Sequence, residues 1–118
     1  MNSTPSLSST CLLVTREGMG SGAPELELAL LGKYLGLLLA GDLPPRALCF
    51  YTEGVMLVCE GSPLLGALRS LEARGARLLV CTTCLDFYGL RDRLRVGTAC
   101  AMPDILNAQL EAEKVITI

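Results

Sequence analysis

At 118 residues with ten Lys and Arg against twelve Asp and Glu, a formal charge of −2, the chain is the size of one domain able to bury a core without disulfides or a structural metal. It has no basic tract to follow a phosphate backbone, and Tyr34, Phe50, Tyr51, Phe87 and Tyr88 are too scattered to stack bases, which excludes a nucleic-acid partner. Apolar residues make up 51% of the chain and the mean hydropathy is +0.47, so apolar surface must be hidden somewhere. A membrane is not the expected place. The most apolar stretch, residues 26–40, is interrupted by Glu27 and Lys33, and a spanning helix needs about 20 mostly apolar residues. A homo-oligomer interface is expected instead. Residues 1–10 are Ser/Thr-rich without a basic leader, and Leu12 to Val14 is too short for a secretory core, so a cytoplasmic protein is expected. The six cysteines, at 11, 49, 59, 81, 84 and 100, mostly lie inside apolar runs, which fits reduced thiols better than a disulfide framework.

Residues 1–10 are expected to be a flexible segment, and residues 11–118 a single domain. The all-apolar run 11–14 predicts a strand covered on both faces. The glycine-rich loop 18–22 lacks both the Lys-Ser/Thr of a phosphate-binding loop and the full G-x-G-x-x-G spacing, and reads as a flexible turn. From Pro24, with Glu25 and Glu27 in the first turn, a long and largely buried helix is predicted to run to a stop at Gly41. A second strand follows over 47–51. The apolar run 55–59 fits an extra strand or an irregular wall. Ser62 as cap, Pro63 at the first helical position and Leu64, Leu68 and Leu71 predict a helix ended by Gly75. Then come a strand at 78–81, a helix at 85–94, a strand at 96–100, a helix at 103–113 with Asp104 in its first turn, and a β-rich tail at 115–118. This alternation predicts an α/β fold, a three-layer α/β/α sandwich on a mainly parallel sheet of about five strands.

Chemistry concentrates at Cys81-Thr82-Thr83-Cys84, where the third strand meets the next helix. Ligands and reactive groups collect beyond the carboxyl ends of parallel strands, and a cysteine there can turn its sulfur toward the unsatisfied N–H groups of the following helix, which favours the nucleophilic thiolate. The plainer alternative is a pair of small buried hydrophobes. A structural zinc site needs a second ligand pair, and the chain has no histidine; the same lack excludes a Cys-His proteolytic dyad. No metal or cofactor is expected. Arg91, Arg93 and Arg95 follow the cysteines and either supply a positive environment or are ordinary solvated side chains. Glu53 and Glu60 match no paired acid/base pattern. A dithiol redox pair is an alternative, although the order of elements is not that of thioredoxin.

With these motifs placed, the sequence resembles the DsrE/DsrF-like family, closest to the C-terminal domain of YedF-type sulfurtransferase-like selenium-metabolism proteins. The likeness is carried by Thr52-Glu53-Gly54-Val55, Glu60-Gly61-Ser62-Pro63, the stretch from Leu79 through Cys81 and Cys84 to Leu90, Val96-Gly97-Thr98 and Lys114-Val115-Ile116-Thr117-Ile118. The resemblance implies an α/β/α sandwich, homo-oligomeric assembly and a persulfide-carrying cysteine at a strand end. By position relative to Gly89 that cysteine is Cys81; Cys84 would resolve the persulfide, bear it instead, or help bind a metal or selenium species. The sequence departs from the family where Thr82 replaces a common glycine, where Met56 replaces a common lysine, and at Ala101 and Pro103, which bear on anion handling and substrate identity. YedF-type proteins usually also carry a SirA/TusA-like domain, so the resemblance implies donor and acceptor thiols on other chains, a SirA/TusA-like protein among them. The expectation is therefore a sulfurtransferase-like relay protein for sulfur or selenium, acting through Cys81 and Cys84. Its alternatives are a non-catalytic oligomeric or small-ligand-binding module with structural cysteines, and a dithiol redox protein. An exposed, acidic thiol would mark the relay, and inert buried thiols the module.

Overall fold

The computed structural model describes residues 5–118. Five strands, β1 (Thr10–Val14), β2 (Ala47–Phe50), β3 (Arg77–Cys81), β4 (Thr98–Cys100) and β5 (Lys114–Thr117), form one parallel sheet in the order β4-β3-β2-β1-β5. The central strands are apolar on both faces because both faces are covered, which is why they read as continuous rather than alternating hydrophobic runs. Helices α1 (Pro24–Ala40) and α2 (Leu65–Ala73) pack on each other, and α4 (Met102–Glu111) packs against β3. From β1 the chain steps across the sheet to β4, and through α4 it then crosses back to place β5 beside β1. Because parallel crossovers are right-handed, that reversal puts α4 on the face opposite α1 and α2. The α/β/α sandwich is the expected one. No helix among the described residues is long and apolar enough to cross a membrane.

Several local expectations are corrected. The run 55–59 is neither strand nor irregular wall: most of it belongs to a 3-10 helix, Thr52–Val58, whose Gly54, Val55, Leu57 and Val58 are buried. Helix α2 starts at Leu65, because the Ser62 hydroxyl accepts the Leu64 N–H and closes a turn before the helix begins. The helix expected at 85–94 is α3 (Thr82–Phe87), which starts directly after Cys81 and is followed by Gly89 at a φ of 66° and a short 3-10 turn, Arg91–Arg93. Helix α1 is only partly buried. Leu31, Leu35 and Leu38 face the core, while Leu26, Leu30 and Leu37 are exposed, since a helix lying on a sheet covers one stripe. The glycine-rich loop is pinned rather than free. Met19 N–H donates to the Glu27 carbonyl and Gly22 N–H to its carboxylate, and a side chain at Gly18 would overlap the Glu27 backbone. Of the segment expected to be flexible, residues 1–4 lie outside the described residues; further on, the Leu7 carbonyl accepts the Thr10 and Arg46 N–H groups.

Register positions the site. Val14 pairs with Phe50, Phe50 with Val80 and Val80 with Ala99, so the residues that follow them emerge along one carboxyl rim.

Candidate functional site: a cysteine-bearing rim

Cys81 is the last residue of β3 and is 2% exposed; Cys84 lies in the first turn of α3 and is half-buried. Starting α3 immediately after the strand folds the second thiol back toward the rim. There the Cys84 Sγ accepts the N–H of Thr52 at 3.0 Å.

Thr52 makes this contact from an unusual conformation. Its φ of 49° lies in the left-handed region, which costs a β-branched residue on the order of 1–3 kcal/mol. The surroundings hold it there. The Thr52 hydroxyl donates to the Thr15 carbonyl, Tyr51 N–H donates to the Val14 carbonyl at 3.2 Å, and Gly54 approaches that same carbonyl so closely that any side chain would overlap it. The loop after β2 is thereby tied to the end of β1, with one backbone donor aimed at sulfur.

The electrostatics oppose the expected acidic thiol. Burial pushes the Cys84 thiol up, the neighbouring Cys81 thiol pushes it further, and the Thr52 N–H only partly offsets them. A six-residue helix adds little dipole. The arginines do not surround the thiols either. Arg91 forms a two-pronged pair with Asp86, both distances 2.9 Å, while Arg93 and Arg95 reach Glu60 at 3.0 and 3.6 Å. All these side chains are at least 39% exposed, and such pairs contribute only about 0–1 kcal/mol each. Of the two glutamates, Glu60 is thus in a surface ion pair, and Glu53 lines a polar cavity of about 410 Å³ with Arg16 and Glu27. A more apolar cavity of about 350 Å³ lies between Leu28, Met56, Cys59 and Tyr88, the last one helical turn beyond Cys84. Among the described residues no three Cys, Asp or Glu gather as a metal-holding group.

One thiol on this rim escaped the sequence argument. Cys100, at the end of β4, is the register partner of Cys81. A short strand after Gly97 was the only signal, and it says nothing about which neighbour that strand will meet.

The sequence profile of the DsrE/DsrF-like family matches residues 13–118, and the chain belongs to that family. Among solved structures, the ychN protein of E. coli superposes with a TM-score of 0.70 at 18% identity, covering 93% of this chain and 98% of that one. MTH1491 of Methanobacterium thermoautotrophicum, described as a protein of unknown function, superposes with a TM-score of 0.67 at 23% identity, covering 92% and 97%. At such identities the likeness shows the fold. No curated protein matches the chain.

Proposed function

We propose that this protein is a cytoplasmic, homo-oligomeric sulfur carrier that takes a sulfane sulfur onto the Cys81–Cys84 pair and passes it to a partner thiol. The observation that supports this reading is the half-open Cys84 sulfur, held by a strained backbone donor on the carboxyl rim next to Cys81. Cys81 occupies the family's carrier position by resemblance, but it is sealed, so Cys84 is the thiol a donor meets first. The Cys84 thiolate attacks the outer sulfur of a donor persulfide; a new S–S bond forms as the donor's S–S bond breaks, and the donor leaves as a thiolate that takes up the proton Cys84 released. Cys81 then receives the sulfur by the same exchange. The flanking motifs, similar to the YedF-type subgroup, support sulfur or selenium as cargo and a SirA/TusA-like protein as partner.

The sealing of Cys81 favours a second reading, a non-catalytic module whose cysteines only pack. Intact-protein mass spectrometry after incubation with a cysteine desulfurase and cysteine separates the two. A reductant-reversible gain of sulfur, abolished in Cys84→Ser and retained at that residue in Cys81→Ser, is expected of the carrier. No gain in the wild-type protein would leave the packing role.

A further inference from the structure

We infer that Cys100 is a third thiol of the relay, the exit for sulfur that Cys81 holds. This rests on the carrier reading above. Cys81 and Cys100 are direct register partners on β3 and β4. Neighbouring strands run about 4.8 Å apart, inside the roughly 4.4–6.8 Å Cα spacing at which two cysteines can be joined through sulfur. Register partners also project from the same face of a sheet. On its other side, Cys84 follows Cys81 by one helical turn and reaches toward the loop after β2, where it meets the Thr52 N–H. Three thiols therefore stand in series along the rim, and their access to solvent alternates: Cys84 half-open, Cys81 sealed, Cys100 half-open.

The position of β4 explains the second opening. It is one of the two edge strands of the sheet and only three residues long, so its last side chain lies where the layers end. A single-thiol carrier has no use for a second half-open sulfur behind a buried one. A relay does: the incoming donor and the outgoing acceptor then meet different thiols, and the buried one keeps the cargo from water and from stray thiols.

Each step is an isoelectronic exchange. The Cys100 sulfur attacks the outer sulfur of the Cys81 persulfide; the Cys100–sulfur bond forms as the Cys81 S–S bond breaks, and the Cys100 proton passes to the Cys81 thiolate that leaves. No oxidant or reductant is consumed. Attack on the inner sulfur would instead expel hydrosulfide and leave a Cys81–Cys100 disulfide, which ends the relay. Burial and then Asp104, in the first turn of α4, keep Cys100 protonated, while the Val80 N–H and Arg77 oppose them. Cys100 thus holds its proton until the exchange.

Trypsin cleaves after Arg77, Arg91, Arg95 and Lys114, which places Cys81 and Cys84 on residues 78–91 and Cys100 on residues 96–114. The full chain is loaded with a cysteine desulfurase and cysteine, alkylated, digested without reductant and mapped by mass spectrometry. In the wild-type protein added sulfur is expected on both peptides. In Cys81→Ser, and in Cys81→Ala as a check that a buried hydroxyl has not disturbed the fold, the 96–114 peptide loses it while 78–91 keeps it. In Cys100→Ser, a near-isosteric change at a half-open position, all of it stays on 78–91. Wild-type sulfur confined to 78–91, label on 96–114 that survives Cys81→Ser and Cys81→Ala, or hydrosulfide release with a Cys81–Cys100 disulfide would each overturn the exit role and leave the carrier reading standing. A wild-type protein that takes up no sulfur overturns both.

Discussion

Cys84 shows how one side chain can carry opposed influences. The Thr52 N–H at 3.0 Å favours its thiolate, yet burial and the Cys81 thiol outweigh that donor and hold the group above the ordinary thiol value. At neutral pH most of Cys84 is therefore the unreactive thiol. Alkylation by iodoacetamide should be slow at pH 7 and keep rising beyond the pH at which a free cysteine reaches its plateau, with Cys81 lagging because it is 2% exposed. A rate already saturated at pH 7 would contradict this balance. The same balance suits a carrier that is quiet when alone and reacts when a docked partner adds positive charge beside the thiol.

Among the elements, α4 leaves the most unfinished business. Met102, Leu106 and Leu110 recur every four residues along it and are 53%, 53% and 72% exposed, and Val115 at the start of β5 is exposed as well. The exposed Leu26, Leu30 and Leu37 of α1 form a second apolar strip. Helical periodicity was visible in the α1 sequence, but not how much of it the sheet would cover; that depends on a helix meeting a flat surface along one stripe. If α4 is the homo-oligomer interface, the double variant Leu106→Arg, Leu110→Arg should shift sedimentation from an assembly to the protomer. The protomer's own stability should change by no more than about 0.5 kcal/mol per site, since neither residue is in the core. A monomeric wild-type protein would remove the premise.

At the level of the whole molecule, the thiols make the core sensitive to alkali. Cys11 and Cys49 are fully buried with sulfurs 3.6 Å apart, and that hydrogen-bonded neighbour together with burial pushes the Cys49 thiol far up; burial raises Cys59 and Cys100 as well as Cys84. These groups stay protonated in the native state after the unfolded chain has begun to lose their protons. Their raised native values thus represent stability that is fully present below the unfolded thiol range and is lost as pH climbs above it. Each group contributes up to about 1.4 kcal/mol per pH unit in that window. Urea unfolding under reducing conditions should show a flat free energy from pH 7 to about 8 and a steep fall above about 9. Cys49→Ala should flatten that fall, although the lost sulfur lowers the starting stability.

Strand and helix alternation, the parallel sandwich and the placing of Cys81 at a strand end could all be read along the chain, because each depends on short-range features: apolar runs, a proline at a helix start, a glycine after a helix. Even there, the boundaries of α2 and α3 moved where a Ser62 turn or Gly89 competed with helical periodicity. What could not be read was which distant residues meet. Thr52 and Cys84 are 32 positions apart, and their contact depends on a left-handed residue whose strain is offset by β1. Cys81 and Cys100 become neighbours only once β4 takes the sheet edge beside β3. The pairing of the arginines with Asp86 and Glu60, and the burial that raises Cys84, likewise follow from packing. Local propensity names the elements and the candidate thiol, whereas register and burial, which are non-local, decide that thiol's neighbours and its proton affinity.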